Sequence, residues 1–285
     1  MPESLFADAN SSLEEARFAI FGVPFDKTSS FRSGSAQAPD KIREASHNFE
    51  TYMFEHGEDI ESIKYCDLGN LEEFEDVSSM IRGVEEFTGG IVEKGKIPIV
   101  LGGEHSLTPG VVKCLDDIGV IVLDAHLDFR DEYEDEKFSH CSTVRRISDS
   151  IGVKSVVPIG VRSFSKEEEV DAEELGLRFI TSYELSEKTT IQEALEMALR
   201  WIDKDKIYLS LDMDIIDPAF APGISNPEPF GLAPIEIKKC INYLAGRLVG
   251  FDVVEVSPPF DNGNTSALAA RLVRETIMAT WKAQT

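Results

Sequence analysis

The sequence is poor in basic residues. Lys and Arg total 28 against 52 Asp and Glu, which gives a formal net charge of −24 at pH 7. Without a basic patch the chain lacks the electrostatic footprint of a nucleic-acid-binding protein, so we expect no nucleic-acid partner. The excess of carboxylates suits cations such as metal ions, although solubility explains it equally well.

The sequence also lacks long apolar runs and paired cysteines. No run approaches the length of a membrane-spanning helix, and residues 1–8 lack the basic and apolar regions of a secretory signal. The chain has four cysteines: Cys66, Cys114, Cys141 and Cys240. They show neither CxxC spacing nor the density of a disulfide scaffold, so we interpret them as reduced thiols. We expect a cytoplasmic protein with no membrane partner.

Linkers and repeats are absent as well. No Gly/Ser/Pro-rich linker, low-complexity stretch or internal repeat interrupts the chain, so we expect a single domain over residues 1–285. Apolar, β-branched runs predict strands near residues 17–23, 63–68, 97–101, 119–124, 153–161, 177–181, 206–211 and 248–256. Amphipathic segments predict helices at 39–47, 77–94, 108–115, 165–175, 191–201, 234–245 and 265–281. This alternation indicates an α/β fold with a mostly parallel sheet, covered on both faces.

Acidic and histidine-containing clusters follow three of the apolar runs. They supply six potential metal ligands: His105, Asp124, His126, Asp128, Asp212 and Asp214. In an extended backbone alternate side chains share one face, so we expect the ligands within each cluster to converge. Burying four carboxylates without cations would cost several kcal/mol per charge, which favours a metal site over simple packing.

The number and type of these ligands favour two ions. Two histidines with four aspartates exceed the needs of one tetrahedral zinc site, but they suit two ions that share bridging carboxylates. Oxygen-rich ligands favour magnesium, calcium or manganese, and the imidazoles argue against the first two. We therefore expect two Mn²⁺ per chain.

Three motifs, in this order, resemble those of the ureohydrolase family, which includes arginase and agmatinase. They are Gly102-Gly-Glu-His-Ser106, Asp124-Ala-His-Leu-Asp128 and Ser210-Leu-Asp-Met-Asp214, the last of which continues to Asp217-Pro218. Further likeness extends from Gly22-Val-Pro-Phe-Asp26 to Asp252-Val-Val-Glu-Val256. The resemblance implies a three-layer α/β/α sandwich with an eight-stranded sheet, and a homo-oligomer that is a trimer or hexamer.

The resemblance also implies how the ligands divide. One ion would be held by His105, Asp124, Asp128 and Asp212. The other would be held by Asp124, His126, Asp212 and Asp214, so that Asp124 and Asp212 bridge. Asp217 precedes a proline, and turn formation with support of the ligands explains it better than direct ligation.

Two further residues gain catalytic and substrate-binding roles from the resemblance. His140 lies in Ser139-His-Cys-Ser-Thr-Val-Arg-Arg146, which resembles a family loop whose histidine assists proton transfer, with Cys141 where glycine or alanine is common. We expect a mobile loop histidine that titrates near neutral pH; an exposed surface histidine is the alternative. Glu255 ends another apolar run and would hold a guanidinium group through paired hydrogen bonds; a structural ion pair is the alternative.

These roles together predict hydrolysis of a guanidinium compound. A hydroxide that bridges the two ions would attack the guanidinium carbon while Asp128 orients it. Glu255 would stabilise the guanidinium charge, and His140 or water would protonate the leaving amine.

Two other classes of protein stay open as alternatives. A different dinuclear hydrolase, such as a phosphoesterase, would need basic groups near the metals, for which Arg130, Arg145 and Arg146 are the candidates. A non-catalytic metal-binding scaffold would be indicated by a broken ligand set, but no ligand is missing.

The segment after Asp128 bears on the substrate. It reads Phe129-Arg-Asp-Glu-Tyr133, as in the family's agmatinases, and lacks the asparagine with which arginases receive an α-carboxylate. Asp131 and Glu132 would repel a carboxylate if they face the pocket, so we expect agmatine and water to give putrescine and urea. The alternatives are arginase, guanidinobutyrase or formiminoglutamase specificity. Arg130 favours a carboxylate-bearing substrate, although pairing with the adjacent acids is the simpler interpretation.

Overall fold

The computed structural model describes residues 5–285, so the first half of the 1–8 segment considered above lies outside the described residues. The strands are β1 (Phe18–Val23), β2 (Tyr52–Met53), β3 (Glu58–Asp59), β4 (Tyr65–Asn70), β5 (Ile97–Gly102), β6 (Ile118–Leu123), β7 (Val156–Val161), β8 (Ile180–Thr181), β9 (Lys206–Asp212) and β10 (Leu248–Val254). β2 and β3 form a short antiparallel hairpin, and the other strands form one sheet.

The sheet is entirely parallel. Its order is β4-β1-β5-β10-β9-β6-β7-β8, and every neighbouring pair runs in the same direction. Parallel strands need crossover connections that bury both faces of the sheet, which is why the strands read as continuous apolar runs. All residues of β1, β6 and β7 are buried. The predicted α/β fold with an eight-stranded sheet is confirmed.

Helices connect the strands and cover both faces of the sheet. They are α1 (Ala38–Ser46), α2 (Val77–Val92), α3 (Thr108–Val112), α4 (Thr143–Ile151), α5 (Lys166–Leu175), α6 (Ser182–Glu187), α7 (Ile191–Ile202), α8 (Pro234–Leu244) and α9 (Asn264–Gln284). Capping boxes begin α2, α5, α6 and α7, and satisfy backbone N–H groups that lack helical partners. The sequence analysis did not predict α4 and α6.

Two apolar layers lie on opposite faces of the sheet. Within β1, Phe18 and Ile20 belong to one buried cluster, whereas Ala19 and Phe21 belong to the other. Successive side chains of a strand point to opposite faces, so this division places a core on each side. The result is the predicted three-layer sandwich.

Other predictions concern cysteines and membrane spans. All four cysteines are free thiols, as predicted. Across residues 5–285, no helix has both the length and the apolar character needed to cross a membrane.

Candidate metal centre

The four central strands of the sheet end side by side at one edge. β5, β10, β9 and β6 are consecutive neighbours. All six predicted ligands and Glu255 lie at the carboxyl ends of these strands or in the segments that follow them. In parallel α/β sheets this edge is where ligands bind. The topology therefore brings together residues that are up to 150 positions apart in the chain, such as His105 and Glu255.

One set of donors, here called the His105 group, consists of His105, Asp124 and Asp128. Their ligand atoms lie within 4.8 Å of one another. His105 Nδ1 is 3.1 Å from Asp124 Oδ2 and 3.2 Å from Asp128 Oδ2. Asp212 Oδ2 approaches the same nitrogen to 3.5 Å. All four side chains are buried, so a cation here would be almost fully enclosed by protein donors.

A second set, the His126 group, consists of Asp124, His126 and Asp214. His126 Nδ1 is 2.7 Å from Asp214 Oδ2 and 3.8 Å from Asp124 Oδ1. The backbone N–H of Ala125 donates to Asp214 Oδ1 at 2.9 Å, and that of Asp214 donates to Asp212 Oδ1 at 2.9 Å. These backbone bonds fix the carboxylate orientations before any cation arrives.

Asp124 belongs to both groups and faces each with a different oxygen. Its Oδ2 and the Nδ1 of His105 are buried, yet neither has a hydrogen-bond partner among the described residues. Unpartnered buried polar atoms are unfavourable, and a cation between them would satisfy both. Imidazole nitrogens combined with carboxylate oxygens fit a divalent cation such as manganese.

The ligands converge for a different reason from the one we expected. β6 ends at Leu123, and Asp128 adopts a left-handed φ of 51° instead of continuing an extended backbone. Asp214 lies in a 3-10 turn, Met213–Ile215, in which its own backbone N–H donates to the side chain of Asp212. Aspartate tolerates the left-handed region better than most residues. The extended-strand argument was therefore wrong, although the side chains do meet.

A buried network holds His105 from behind. His105 Nε2 lies 2.9 Å from Ser210 Oγ, and that hydroxyl donates to Asp252 Oδ1 at 2.6 Å. Tyr208 and Thr108 donate their hydroxyls to the other oxygen of Asp252, at 2.6 and 2.9 Å. Because the Ser210 hydrogen goes to Asp252, its oxygen accepts from His105 Nε2–H, which leaves Nδ1 to face the carboxylates.

Sequence reasoning missed this network. The available signal was Asp252 itself, an acid in the middle of the apolar run that forms β10. A buried carboxylate requires hydrogen-bond donors, so its presence there indicated partners on the neighbouring strand.

The acidic cluster has strongly shifted pKa values. Burial, with the charges of Asp214 and Asp128, raises the pKa of Asp124 to about 7. Burial lowers the pKa of His126, but the charge and hydrogen bond of Asp214 outweigh it and raise that pKa to about 10. Burial and neighbouring carboxylates also hold the pKa of Asp212 well above its usual range. Shifts of this size concentrate at functional sites.

Glu255 lies beside the His105 group. Its φ is 66°, its backbone N–H donates to Gly103 O at 2.8 Å, and its Oε1 accepts from the backbone N–H of His105 at 2.7 Å. Burial, with the charge of Glu104, raises the pKa of Glu255 to about 8. Among residues 5–285, no lysine or arginine lies within ion-pair distance of Glu255. The alternative of a structural ion pair is therefore wrong.

His140 is buried and hydrogen-bonded on both ring nitrogens, so it is not an exposed surface histidine. It lies in the 3-10 turn His140–Ser142 with 5% of its surface exposed, and its Nδ1 and Nε2 are each 3.2 Å from a hydroxyl, that of Thr28 and of Ser30. The Thr28 hydroxyl donates to Glu104 Oε1, so its oxygen accepts from His140 Nδ1–H and leaves Nε2 as an acceptor. Burial lowers the pKa of His140, so titration near neutral pH was a wrong prediction.

The three arginines considered as phosphate ligands are paired with other carboxylates. The pairs are Arg130 with Glu168 at 3.3 Å, Arg145 with Asp171 at 3.3 Å, and Arg146 with Asp131 at 2.8 Å. Arg130 therefore pairs with an acid on α5, and the predicted pairing with the adjacent acids is wrong. Because Asp131 is paired with Arg146, its charge is compensated, and it does not support the predicted repulsion of a substrate carboxylate.

A loop after β9 lies next to the His126 group. Asp217 accepts hydrogen bonds from the backbone N–H groups of Ala219 at 2.9 Å and Gly231 at 3.0 Å, so it closes this loop, which fits its predicted turn role. The loop carries Glu228, whose Oε1 is 3.7 Å from His126 Nε2. Sequence reasoning gave Glu228 no role.

Comparisons with known proteins agree with this geometry. A family model described as the Arginase family matches residues 16–279. The chain is 33% identical to an agmatinase of Bacillus anthracis over 96% of this chain and 95% of that protein. It is 34% identical to an N(1)-aminopropylagmatine ureohydrolase of Thermococcus kodakarensis, over 91% and 89%. The agmatine ureohydrolase structure of Thermoplasma volcanium superposes with a TM-score of 0.94 at 43% identity, covering 99% and 96%.

Proposed function

Because the chain belongs to the arginase family, we propose that it hydrolyses agmatine to putrescine and urea at a dinuclear manganese centre. The observation that carries the proposal is the Asp124 carboxylate, which faces a histidine of a different donor group with each oxygen. A carboxylate in that position is what two ions that share a ligand require.

We propose that the two ions are held as the family resemblance implies. His105, Asp124, Asp128 and Asp212 would bind one ion, and Asp124, His126, Asp212 and Asp214 would bind the other. The unpartnered buried atoms His105 Nδ1 and Asp124 Oδ2 support this assignment. The combination of imidazole with hard carboxylates supports manganese over magnesium, calcium or a structural zinc ion.

The remaining chemistry is assigned to residues of the chain. When bound, two divalent ions supply Lewis-acid activation of water near neutral pH. Asp128 would accept a hydrogen bond from the attacking water and so orient it. Glu255, which has no basic partner, would accept paired hydrogen bonds from the guanidinium group and hold its carbon in place. Neutral His140 would take a proton at Nε2 and pass it to the leaving amine.

Agmatine is supported by the names of two relatives and by the charges around the site. The Bacillus anthracis and Thermoplasma volcanium proteins both act on agmatine by name. Arg130, Arg145 and Arg146 are paired with carboxylates, so none is a free partner for a substrate carboxylate. The same three pairs argue against the phosphoesterase alternative, because these arginines were its candidate phosphate ligands.

The Thermococcus kodakarensis relative favours a second candidate substrate. Its name specifies N(1)-aminopropylagmatine, and its identity to this chain is as high as that of the agmatinase. Both substrates carry a guanidinium group at one end and an ammonium group further along an alkyl chain.

Urea release with manganese tests the proposal. Catalytic efficiency would be measured on agmatine, N(1)-aminopropylagmatine, arginine, 4-guanidinobutyrate and formiminoglutamate, and metal content by elemental analysis. We expect close to two manganese ions per chain and preference for a cationic substrate. Preference for a carboxylate-bearing substrate would overturn the specificity, and a fully active protein with one zinc ion would overturn the metal assignment.

We also propose a cytoplasmic homo-oligomer, a trimer or hexamer. Four free cysteines fit a reducing compartment. Light scattering that gives a 31.6 kDa particle at working concentration would contradict the oligomer.

A further inference from the structure

Glu228 is an acidic residue next to the candidate metal centre. It belongs to neither the His105 group nor the His126 group. Its carboxylate lies 3.7 Å from His126 Nε2, on the ring edge opposite the Nδ1 that faces Asp214. The Glu228 side chain is 35% exposed and that of His126 is 25% exposed. The Glu228 carboxylate therefore lies on the solvent-exposed side of the His126 group.

The backbone that carries Glu228 is fixed in place by one arginine. Each of the five N–H groups of Arg162 donates to a different backbone carbonyl, at 2.6 to 3.3 Å. The acceptors are Gly160, Asp214, Ile215, Glu228 and Pro229. Arg162 thus joins the backbone of Glu228 to that of the predicted ligand Asp214.

Two more contacts join the same loop to the rest of the site. The backbone N–H of Ser225 donates to Glu255 O at 3.2 Å, and Asn226 Nδ2 donates to Ser30 Oγ at 3.1 Å. Ser30 is also the partner of His140 Nε2. Glu228 is therefore preorganised relative to both the residue that would hold the guanidinium group and the residue that would protonate the amine.

The charges at this opening are unequal. Within residues 5–285, no lysine or arginine side chain lies within ion-pair distance of the Glu228 carboxylate, whereas Arg130 is paired with Glu168. A carboxylate with no lysine or arginine partner attracts a cationic group and repels an anionic one, which gives discrimination in both directions.

We propose that Glu228 is a specificity-determining residue that accepts the ammonium group of a guanidine substrate with a cationic tail. The inference rests on the proposed function, since it requires the guanidinium end of the substrate to lie at Glu255. It covers agmatine and N(1)-aminopropylagmatine, because both carry an ammonium nitrogen at the same distance from the guanidinium group. It also predicts that 4-guanidinobutyrate, whose tail is anionic, is a poor substrate.

A purely structural role for Glu228 makes a different prediction. If Glu228 only accepts a hydrogen bond from His126 Nε2–H, it orients that ring, and its loss weakens manganese binding. All substrates would then be affected alike. If Glu228 instead binds the ammonium group, the effect depends on the charge of the tail.

The test compares Glu228→Gln with wild type on three guanidines with tails of similar length: agmatine, the neutral butylguanidine and 4-guanidinobutyrate. We expect kcat/KM for agmatine to fall roughly ten- to hundredfold, mainly through KM, because a charge-assisted hydrogen bond is lost. Butylguanidine should be unaffected, and 4-guanidinobutyrate should improve. Manganese content should stay at the wild-type value. Glu187→Gln, which removes one exposed charge on α6, is the matched control.

Three results would overturn the inference: no change on agmatine, equal losses on all three guanidines, or a loss of manganese that accounts for the change. Failure of the proposed function itself gives a different result, namely that wild type releases urea from none of the guanidines. In that case calorimetry would measure the affinity of the manganese-loaded wild type and of Glu228→Gln for putrescine. A lower affinity in the variant would still report the contact between Glu228 and an ammonium group. Equal affinities would then sink the inference.

Discussion

The His105 group and the His126 group contain the same types of residue but are held in different ways. The side chain of His105 is 1% exposed, and its Nε2 is bonded to the Ser210–Asp252 pair inside the sheet. The side chain of His126 is 25% exposed, and its Nε2 faces Glu228 on a surface loop. One histidine is fixed by strand residues, and the other lies where solvent enters.

This difference assigns separate tasks to the two groups. A network of buried hydrogen bonds permits one tautomer and one ring orientation, which suits a ligand that must not move. A half-open group leaves space beside the ligands, which a catalytic metal site needs for water and substrate. We therefore expect changes behind His105 to act on metal binding, and changes around His126 to act on substrates.

The largest effect is expected where the two groups join. Asp124→Asn keeps the shape of the side chain but removes the charge that both groups share, so kcat/KM should fall by roughly a thousandfold or more. Elemental analysis should give clearly fewer than two manganese ions. Asp205→Asn, at a fully exposed surface position paired with Arg247, is the control. If Asp124→Asn loses one ion and binds the other normally, the two groups are independent.

Glu255→Gln should have the next largest effect. A neutral amide cannot pair with a guanidinium group, so we expect a loss of about 3 kcal/mol or more in transition-state binding, roughly a hundredfold or more in kcat/KM. The amide oxygen can still accept from the His105 N–H, so the midpoint of thermal unfolding should change little. Unchanged turnover would assign Glu255 to the structure of the His105 group.

Asp252→Asn tests how the His105 group is held, without changing a predicted ligand. It removes the charge that orients Ser210 and, through it, His105, so manganese affinity at one site should fall about ten- to a hundredfold. The other site should keep its affinity in a metal titration. Tyr208→Phe, which removes another hydroxyl from Asp252 but leaves Ser210 in place, should be milder. Equal weakening of both sites would contradict the division between the groups.

The sequence predicted the ligands of the His105 group and the His126 group better than the residues that surround them. Apolar runs locate strands, and parallel strands end at one edge, so ligands directly after β5, β6 and β9 were expected to meet. The burial of His140 was not predictable, because it depends on Thr28 and Ser30 from another loop. The approach of Glu228 to His126 depends on Arg162, and such long-range contacts leave no local periodicity.

Backbone conformation explains another part of what the sequence missed. Asp128 and Glu255 both adopt positive φ, which a strand pattern does not predict. The single domain over residues 1–285 stays a prediction, and one cooperative unfolding transition would support it.

Manganese affinity should rise with pH, chiefly because Asp124 and His126 lose protons. The pKa of Asp124 is raised to about 7 and that of His126 to about 10. An ion that binds to these side chains must displace their protons. Below each pKa the proton competes with the ion, so affinity should fall about tenfold per pH unit for each proton displaced. Calorimetry in buffers of different ionisation enthalpy measures the released protons. Binding without proton release would mean that these groups are already deprotonated.

His140→Ala should have the smallest effect, about tenfold or less in kcat, because water can replace a histidine as the proton carrier. Burial lowers the pKa of His140, so the histidine is neutral from neutral pH upward and the loss should be constant over that range. As the pH falls toward the lowered pKa, His140 of the wild type becomes protonated and the contribution of the neutral ring is lost. The activities of wild type and His140→Ala should then converge. Ser30→Ala, which removes the hydroxyl partner of Nε2 and the acceptor of the Asn226 amide, should reproduce part of the loss. Activities that diverge as the pH falls would show that the protonated ring is the active form.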